Sequence, residues 1–399
     1  MKGPLTGIRV LDLATNISGA SATMILADLG ADVIKVERPG KGDITREIGP
    51  RRGQWGAYFV ATNRGKRSLA LDVRRPEGCE VILRLAQQSD VLVESFLGWK
   101  ATSLGIDEKA VRAVRPNIIY VSLSAYGPRG PDHEKPGYDA LLQARTGIMS
   151  VTGTPDGTPA GAGVPILDMG SGIWAALGIM AGLFERERSG EGQKVECSLF
   201  QTGVMWMTYH LLCQQFTGQD PKPQGTCHPD FAPYGDFPTA DGTLLISIPT
   251  DRLFARLCMA IGRTGWNNDS RYVTNRDRLA NRQQLREEMA LVLKESPTKT
   301  WLEKFGQYGV PADPVQAVGQ LLNDDQLAAI KQLQEIQLPD EQGPSARVPR
   351  LPIEFSPTPA GIAGPPPHLG EHGRDILSEV GFSDGEMESL AHQGVIQLA

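Results

Sequence analysis

The feature that most constrains this chain is the alternation of short apolar runs with helical segments through its first third. Ile8–Leu13 (IRVLDL) reads as a buried strand, TNISGA as a turn, and Ser21–Leu29 as a helix stopped by Gly30. Asp32–Glu37 (DVIKVE) is a second strand, and Ser68–Val73, Asp90–Phe96 and Ile118–Leu123 repeat the theme. Helical stretches at Pro76–Gln87 and Asp107–Val114 separate them. Strand, helix, strand at this rhythm predicts an α/β fold: a parallel sheet, helices packed on it, and right-handed crossovers.

The pattern changes after Leu199. Tyr209–Phe237 is rich in Gln, Pro, Gly and His and reads as an irregular crossover, followed by a strand at Gly242–Ile248. Amphipathic helices are expected at Arg252–Ile261, Arg282–Lys294 and Thr298–Tyr308, making a small α+β domain over residues 230–325. Prolines recur from Leu338 to His368 too often for a helix or a central strand, so an extended connector is expected there. Helices at Gly370–Val380 and Asp384–Gln393 close the chain against the first domain. A length of 399 residues fits two domains. The larger takes residues 1–208 and 339–399, with linkers at 209–229 and 326–338.

Composition narrows the function classes. A formal net charge of −6 argues against a general nucleic-acid binder. Five scattered cysteines without a CxxC pair, and no zinc-site spacing around Cys227-His228, predict a cytoplasmic protein with no metal. The longest apolar run, Ile173 to Phe184, is short of a membrane span. The loop after the first strand lacks a GxGxxG fingerprint, which disfavours a dinucleotide. Glu37 could hold a ribose hydroxyl, and Arg38 beside it suits a phosphate or an adenine face, or an ordinary surface ion pair.

Asp168 is the strongest candidate for chemistry. It follows apolar VPIL and precedes the helical run Ile173 to Glu187, so it reads either as a helix N-cap or as a nucleophile. The helix N-terminus would favour its anion. The histidines form no HExxH-like pair and no G-x-S-x-G elbow occurs, so Ser/His/Asp hydrolysis is unsupported.

The chain resembles the class III CoA-transferase family, which includes formyl-CoA and carnitine CoA-transferases, with α-methylacyl-CoA racemase as a relative. The resemblance rests on PLTGIRVLDL, GADVIKVERPGKGD, NRGKRSLALD, SDVLVESF, GYDALLQA, LDMGSG, RERSGEGQKVECSL and LGEHGRDILSEVGF, in that order across residues 4–397. It implies an open Rossmann-like large domain built from both chain ends, a small inserted domain, and an interlocked homodimer. It implies an acyl-CoA thioester and an organic acid as substrates, with no permanently bound cofactor and neither nucleic acid nor membrane as partner. It makes Asp168 the nucleophile, forming an aspartyl anhydride and then an aspartyl-CoA thioester, with Tyr138 and Asp139 beside it. The matching CoA contacts are Ile17, Ser18, Arg38, Leu71, Arg74 and Phe96, with Lys100 replacing a basic residue absent at Ser103.

There are departures from the family pattern. Ser95 stands where an asparagine is common, and IPTDR (Ile248–Arg252) replaces a glycine-rich loop. Racemase relatives carry a histidine where Tyr138 stands, and a phenol with a pKa near ~10 is a poor base at neutral pH. Transferase is therefore the expectation, with racemase or a CoA-binding subunit of a heteromeric transferase as alternatives. A dicarboxyl-CoA donor such as succinyl-CoA is suggested by Arg46, Arg51, Arg52 and Trp55, which could meet a carboxylate or form a solvated loop around a packed Trp.

Overall fold

The computed structural model describes residues 3–339 and 345–398; residues 340–344 of the expected connector lie outside the described residues. The chain divides into two compact units. The larger comprises Met1–Ile148, Ala162–Gln215 and Ala328–Ala399, and the smaller Met149–Gly161 and Phe216–Leu327. Met149–Gly161, expected in the larger domain, thus belongs to the smaller unit. The expected linkers are absorbed into the units on either side of them.

The larger unit is built on seven strands: β1 (Arg9–Asp12), β2 (Asp32–Glu37), β3 (Arg67–Leu71), β4 (Val91–Glu94), β5 (Ile119–Ser124), β6 (Lys194–Ser198) and β7 (Ile396–Gln397). Their order is β7-β3-β2-β1-β4-β5-β6, all parallel except β7, which runs antiparallel against β3. Successive side chains point to opposite faces, so each strand feeds two cores. Leu11, Ile34 and Leu69 pack with Val81, Ile82 and Leu85 of the Pro76–Gln87 helix and with Ile376 and Leu377 of the Gly373–Glu379 helix. Val10, Val33, Val91 and Val121 face the other way, against Ala22, Leu26, Ala175 and Ile179. Burial on both faces explains why the strands are apolar runs and do not alternate with polar residues.

The second core holds helices α1 (Asn16–Asp28) and α3 (Ile166–Ser189); the short helix α2 (Asp139–Arg145) lies between them in sequence. The α1 and α3 backbones approach closely: a Cβ on Gly172 would lie 2.1 Å from Ser21 Oγ and 2.9 Å from Ser18 O. α3 is the one helix among the described residues long and apolar enough to cross a membrane, and 56% of its apolar window is buried inside the fold. The expected apolar run is therefore part of a longer element, whose Gly172 permits the contact with α1.

Three further expectations are corrected. TNISGA is not a turn, because α1 starts at Asn16, in a left-handed conformation (φ 68°). Gly19 fits in that helix because its missing Cβ leaves room for Ala14, 2.2 Å from where it would stand. Tyr209–Phe237 is not wholly irregular: Thr208–Thr217 is helical and Tyr234–Pro238 is a strand. The connector is not wholly unpaired either, since Ala346–Pro349 forms an antiparallel ladder with Leu333–Ile336.

The smaller unit carries a three-stranded antiparallel sheet, Tyr234–Pro238, Thr243–Ser247 and Ala312–Pro314, over a core that includes Phe254, Leu285 and Trp301. Its IPTDR segment is a helix start: Thr250 accepts from Leu253 N at 3.3 Å and caps Asp251–Ala260.

Candidate active site

The main sheet reverses its strand order between β1 and β4. In open α/β sheets the crevice beyond the carboxyl ends of the strands at such a point is where ligands bind. Two loops leave there, Leu13–Thr15 after β1 and Ser95–Phe96 after β4. They are tied together by Thr15 N donating to Ser95 Oγ at 2.9 Å. The serine that replaces the family's asparagine thus has a defined role. The β4 loop is pinned from within by Glu94, whose Oε2 accepts from Phe96 N at 2.6 Å.

Asp168 is the third residue of α3 and is 8% exposed. It does not cap the helix. The residue before the helix is Pro165, which offers no side-chain acceptor, and the free N–H groups of Leu167 and Asp168 both donate to Asp139 Oδ2, at 2.7 and 3.0 Å. Asp139 opens α2, and its Oδ1 accepts from Gln143 Nε2 one turn later. Gln143 Oε1 in turn accepts from Ala162 N at 2.9 Å. A carboxylate held by these donors is fixed as an acceptor close to a second carboxylate.

The consequence for Asp168 is electrostatic. Burial first, then the charge of Asp139, push its pKa up to about 6, and a hydrogen bond from the Ser18 hydroxyl works in the opposite direction. The helix N-terminus therefore does not dominate, contrary to the expectation from position alone. At neutral pH the group is still mostly ionised and less well solvated than a surface aspartate, which suits a nucleophile.

Asp168 lines a cavity of about 190 Å³ together with Thr15, Ser18, Phe96, Lys135 and Tyr138. Tyr138 is 64% exposed, which leaves its ring accessible beside the carboxylate. A second, largely apolar cavity of about 220 Å³ is lined by Arg38, Leu71, Arg74, Phe96 and Lys100. Thr15 and Phe96 border both, so the two make one groove running from the carboxylate to a basic end. A larger cavity of about 430 Å³ lies beyond Phe96, but Glu94, Asp107, Glu108, Glu134 and Glu196 outnumber its lysines, Lys109 and Lys194. That charge disfavours a phosphorylated ligand.

The expected contacts divide accordingly. Ser18, Arg38, Leu71, Arg74, Phe96 and Lys100 line the groove. Ile17 lines neither cavity, its side chain being buried in the base of α1. Arg74 is already engaged by Asp72, Nε to Oδ1 at 2.8 Å and Nη2 to Oδ2 at 2.6 Å, so a phosphate would have to share or displace that pair. Glu37 is not free for a ribose: it holds Arg46 through two 2.7 Å bonds and accepts from Ser68 Oγ. Arg46 also stacks on Phe59, and Trp55 is buried with Nε1 on Pro339 O. Neither can meet an acid substrate. Thr15, Lys135 and Gln143 were not anticipated; only Gln143 carried a signal, its i+4 spacing from Asp139.

The sequence profile of CoA-transferase family III matches residues 5–373. The chain is 36% identical over 386 residues to a succinate–glutarate CoA-transferase of Agrobacterium fabrum, covering 95% of this chain and 96% of the relative. It is 36% identical over 394 residues to a succinyl-CoA:mesaconate CoA-transferase of Haloarcula hispanica, covering 96% and 98%. A crystal structure of a CAIB/BAIF family protein from Brucella suis superposes with a TM-score of 0.87 at 34% identity, covering 95% of this chain and all of that one. Matched along nearly its whole length by the family's profile and by these relatives, this chain is an enzyme of CoA-transferase family III.

Proposed function

We propose that the enzyme moves CoA from a dicarboxyl-CoA, succinyl-CoA or a close analogue, to a second carboxylic acid, with Asp168 as the covalent carrier. The observation that carries the reading is the Asp168 carboxylate: buried, raised to about 6, and opening on a groove whose far end is basic. The substrate class is supported by the relatives that act on succinate, glutarate and mesaconate.

The steps balance without an external energy source. An Asp168 oxygen attacks the thioester carbonyl, the carbon–sulfur bond breaks, and CoA leaves as thiolate, giving a mixed anhydride. The thiolate attacks the Asp168 carbonyl and releases the donor as its carboxylate, leaving an aspartyl-CoA thioester. An acceptor carboxylate attacks that thioester, and the expelled thiolate then takes the acceptor's acyl carbon, restoring Asp168. One thioester is exchanged for another. Arg38 and Lys100 would hold CoA phosphates by charge-assisted bonds, Phe96 would border the passage of the CoA arm, and Tyr138 would orient the acyl group. Lys135, paired with Asp132 at the cavity rim, would meet a distal carboxylate.

The same reading includes an interlocked homodimer and a cytoplasmic location. Apolar side chains exposed on α3 support the first, and five cysteines with no disulfide between them the second. The purified chain, given succinyl-, glutaryl- and acetyl-CoA against a panel of organic acids, should form new dicarboxyl-CoA esters by mass spectrometry. Turnover confined to monocarboxylic partners would contradict the substrate class.

A further inference from the structure

The NRGKRSLALD segment carries a lysine to which the reaction above gives no part. Lys66 stands just before β3, and its ammonium is completely buried. It lies 3.0 Å from Asp12 Oδ2, 3.0 Å from Ala20 O, 2.8 Å from Thr23 Oγ1 and 2.9 Å from Asn63 Oδ1. Asp12 ends β1, and its other oxygen accepts from Ala14 N at 3.0 Å, while Thr23 Oγ1 donates to Oδ2 at 2.7 Å. Lys35 on β2 donates to Ala14 O and pairs with Asp43 at 2.9 Å. Burial pushes the Lys66 ammonium down to about 8; Asp12 and Asp43 pull it up and Lys35 pushes it down. Asp28 on α1, paired with Arg64, also faces it. At neutral pH Lys66 is a cation with three hydrogens to donate.

These contacts converge on one short piece of backbone. Ala14 is held at its N–H by Asp12 and at its carbonyl by Lys35, and Thr15 is held by Ser95. Asn16 is left-handed, and no side chain caps the helix start. Such a conformation persists only where the surroundings over-determine it. Lys66 supplies the constraint from inside α1, on the Ala20 carbonyl and on Thr23. Between these anchors stands Ser18, which lines the same cavity as Asp168. A buried ion pair is weak evidence of stabilisation, since apolar side chains often serve as well. What an apolar side chain cannot supply is a set of directed donors.

We propose that Lys66 is a positioning residue for CoA transfer: through Asp12, Thr23 and the Ala20 carbonyl it sets the start of α1 so that Ser18 stands in the cavity beside Asp168. This rests on the reading of Asp168 as nucleophile. The test is a double-mutant cycle on kcat and its pH profile, using Ser18→Ala, Lys66→Met and the pair. The Ser18 hydroxyl works to lower the Asp168 pKa, so with its loss kcat should fall about tenfold and the acid limb should move up from about pH 6. Lys66→Met should move the limb the same way, and the double variant should be no slower than the slower single. Additive losses with an acid limb unmoved by Lys66→Met would overturn the proposal.

Should Lys66→Met not fold, Asn63→Ala, which removes one of the four acceptors, carries the test. It should show a smaller shift in the same direction, and an unmoved limb would overturn the proposal. Asp168→Asn, assayed alongside, separates the two readings. If it turns over normally, the nucleophile reading fails and the positioning proposal with it. If it is inactive while the limb stays unmoved in the Lys66 and Asn63 variants, only the positioning proposal fails.

Discussion

Asp139 and Asp168 divide between them two tasks that position alone would give to one residue. Asp139 reaches across 29 residues of sequence to cap α3, and its charge raises the pKa of the aspartate it helps to present. Asp139→Asn tests this division. The amide keeps an oxygen for the N–H groups of Leu167 and Asp168 but removes the like charge, so the Asp168 anion is favoured and its pKa falls. The acid limb of kcat should therefore move to lower pH, by about one unit. A limb that stays near pH 6 would mean that burial alone sets the Asp168 pKa. LDMGSG marked Asp168 because a carboxylate before a long helical run is a local pattern. Its cap was not legible, since no local rule reports an acceptor from another helix. Arg46 and Trp55 looked available for the same reason: nothing near them in sequence announces Glu37, Phe59 or the Pro339 carbonyl as their partners.

Elements whose signal lay in apolar runs were legible, and those shaped by close packing were not. β2 and the Pro76–Gln87 helix stand within the residues read from pattern alone. α1 was truncated in the reading because Gly19 looked like a turn residue, when its lost Cβ in fact makes room for Ala14. α3 was read short for a similar reason, Gly172 serving the contact with α1 and Gly170 the approach of Thr202 and Trp206. The outer face of α3 exposes Ile173, Leu177 and Phe184 by 53, 57 and 67%, and Met205 and Leu211 are exposed on the helices that follow. Apolar side chains repeated along one helix fit burial against a second copy. Light scattering over a dilution series should show a dimer at all practical concentrations, and Phe184→Asp should weaken it. A folded, active monomer of the unaltered chain would contradict the interlocked assembly.

At the scale of the whole molecule, the alternating rhythm of the first third was enough to anticipate a parallel sheet, because each buried strand must be covered by the helix that follows it. The strand order was not in the rhythm. It depends on which edge each crossover takes, and it is the reversal between β1 and β4 that opens the groove beside Asp168. The antiparallel β7 closing the far edge comes from the last residues of the chain, through a pairing with β3 that local pattern could not reveal. Fold and chemistry meet in one claim, that Asp168 becomes the temporary carrier of CoA. The intact enzyme, incubated with succinyl-CoA, quenched and digested, should yield the peptide containing Asp168 with a CoA-sized mass added at that carboxylate, and Asp168→Asn should yield none and lose transfer activity. Unmodified peptide from wild-type enzyme caught in turnover, or near-normal transfer by Asp168→Asn, would contradict the account.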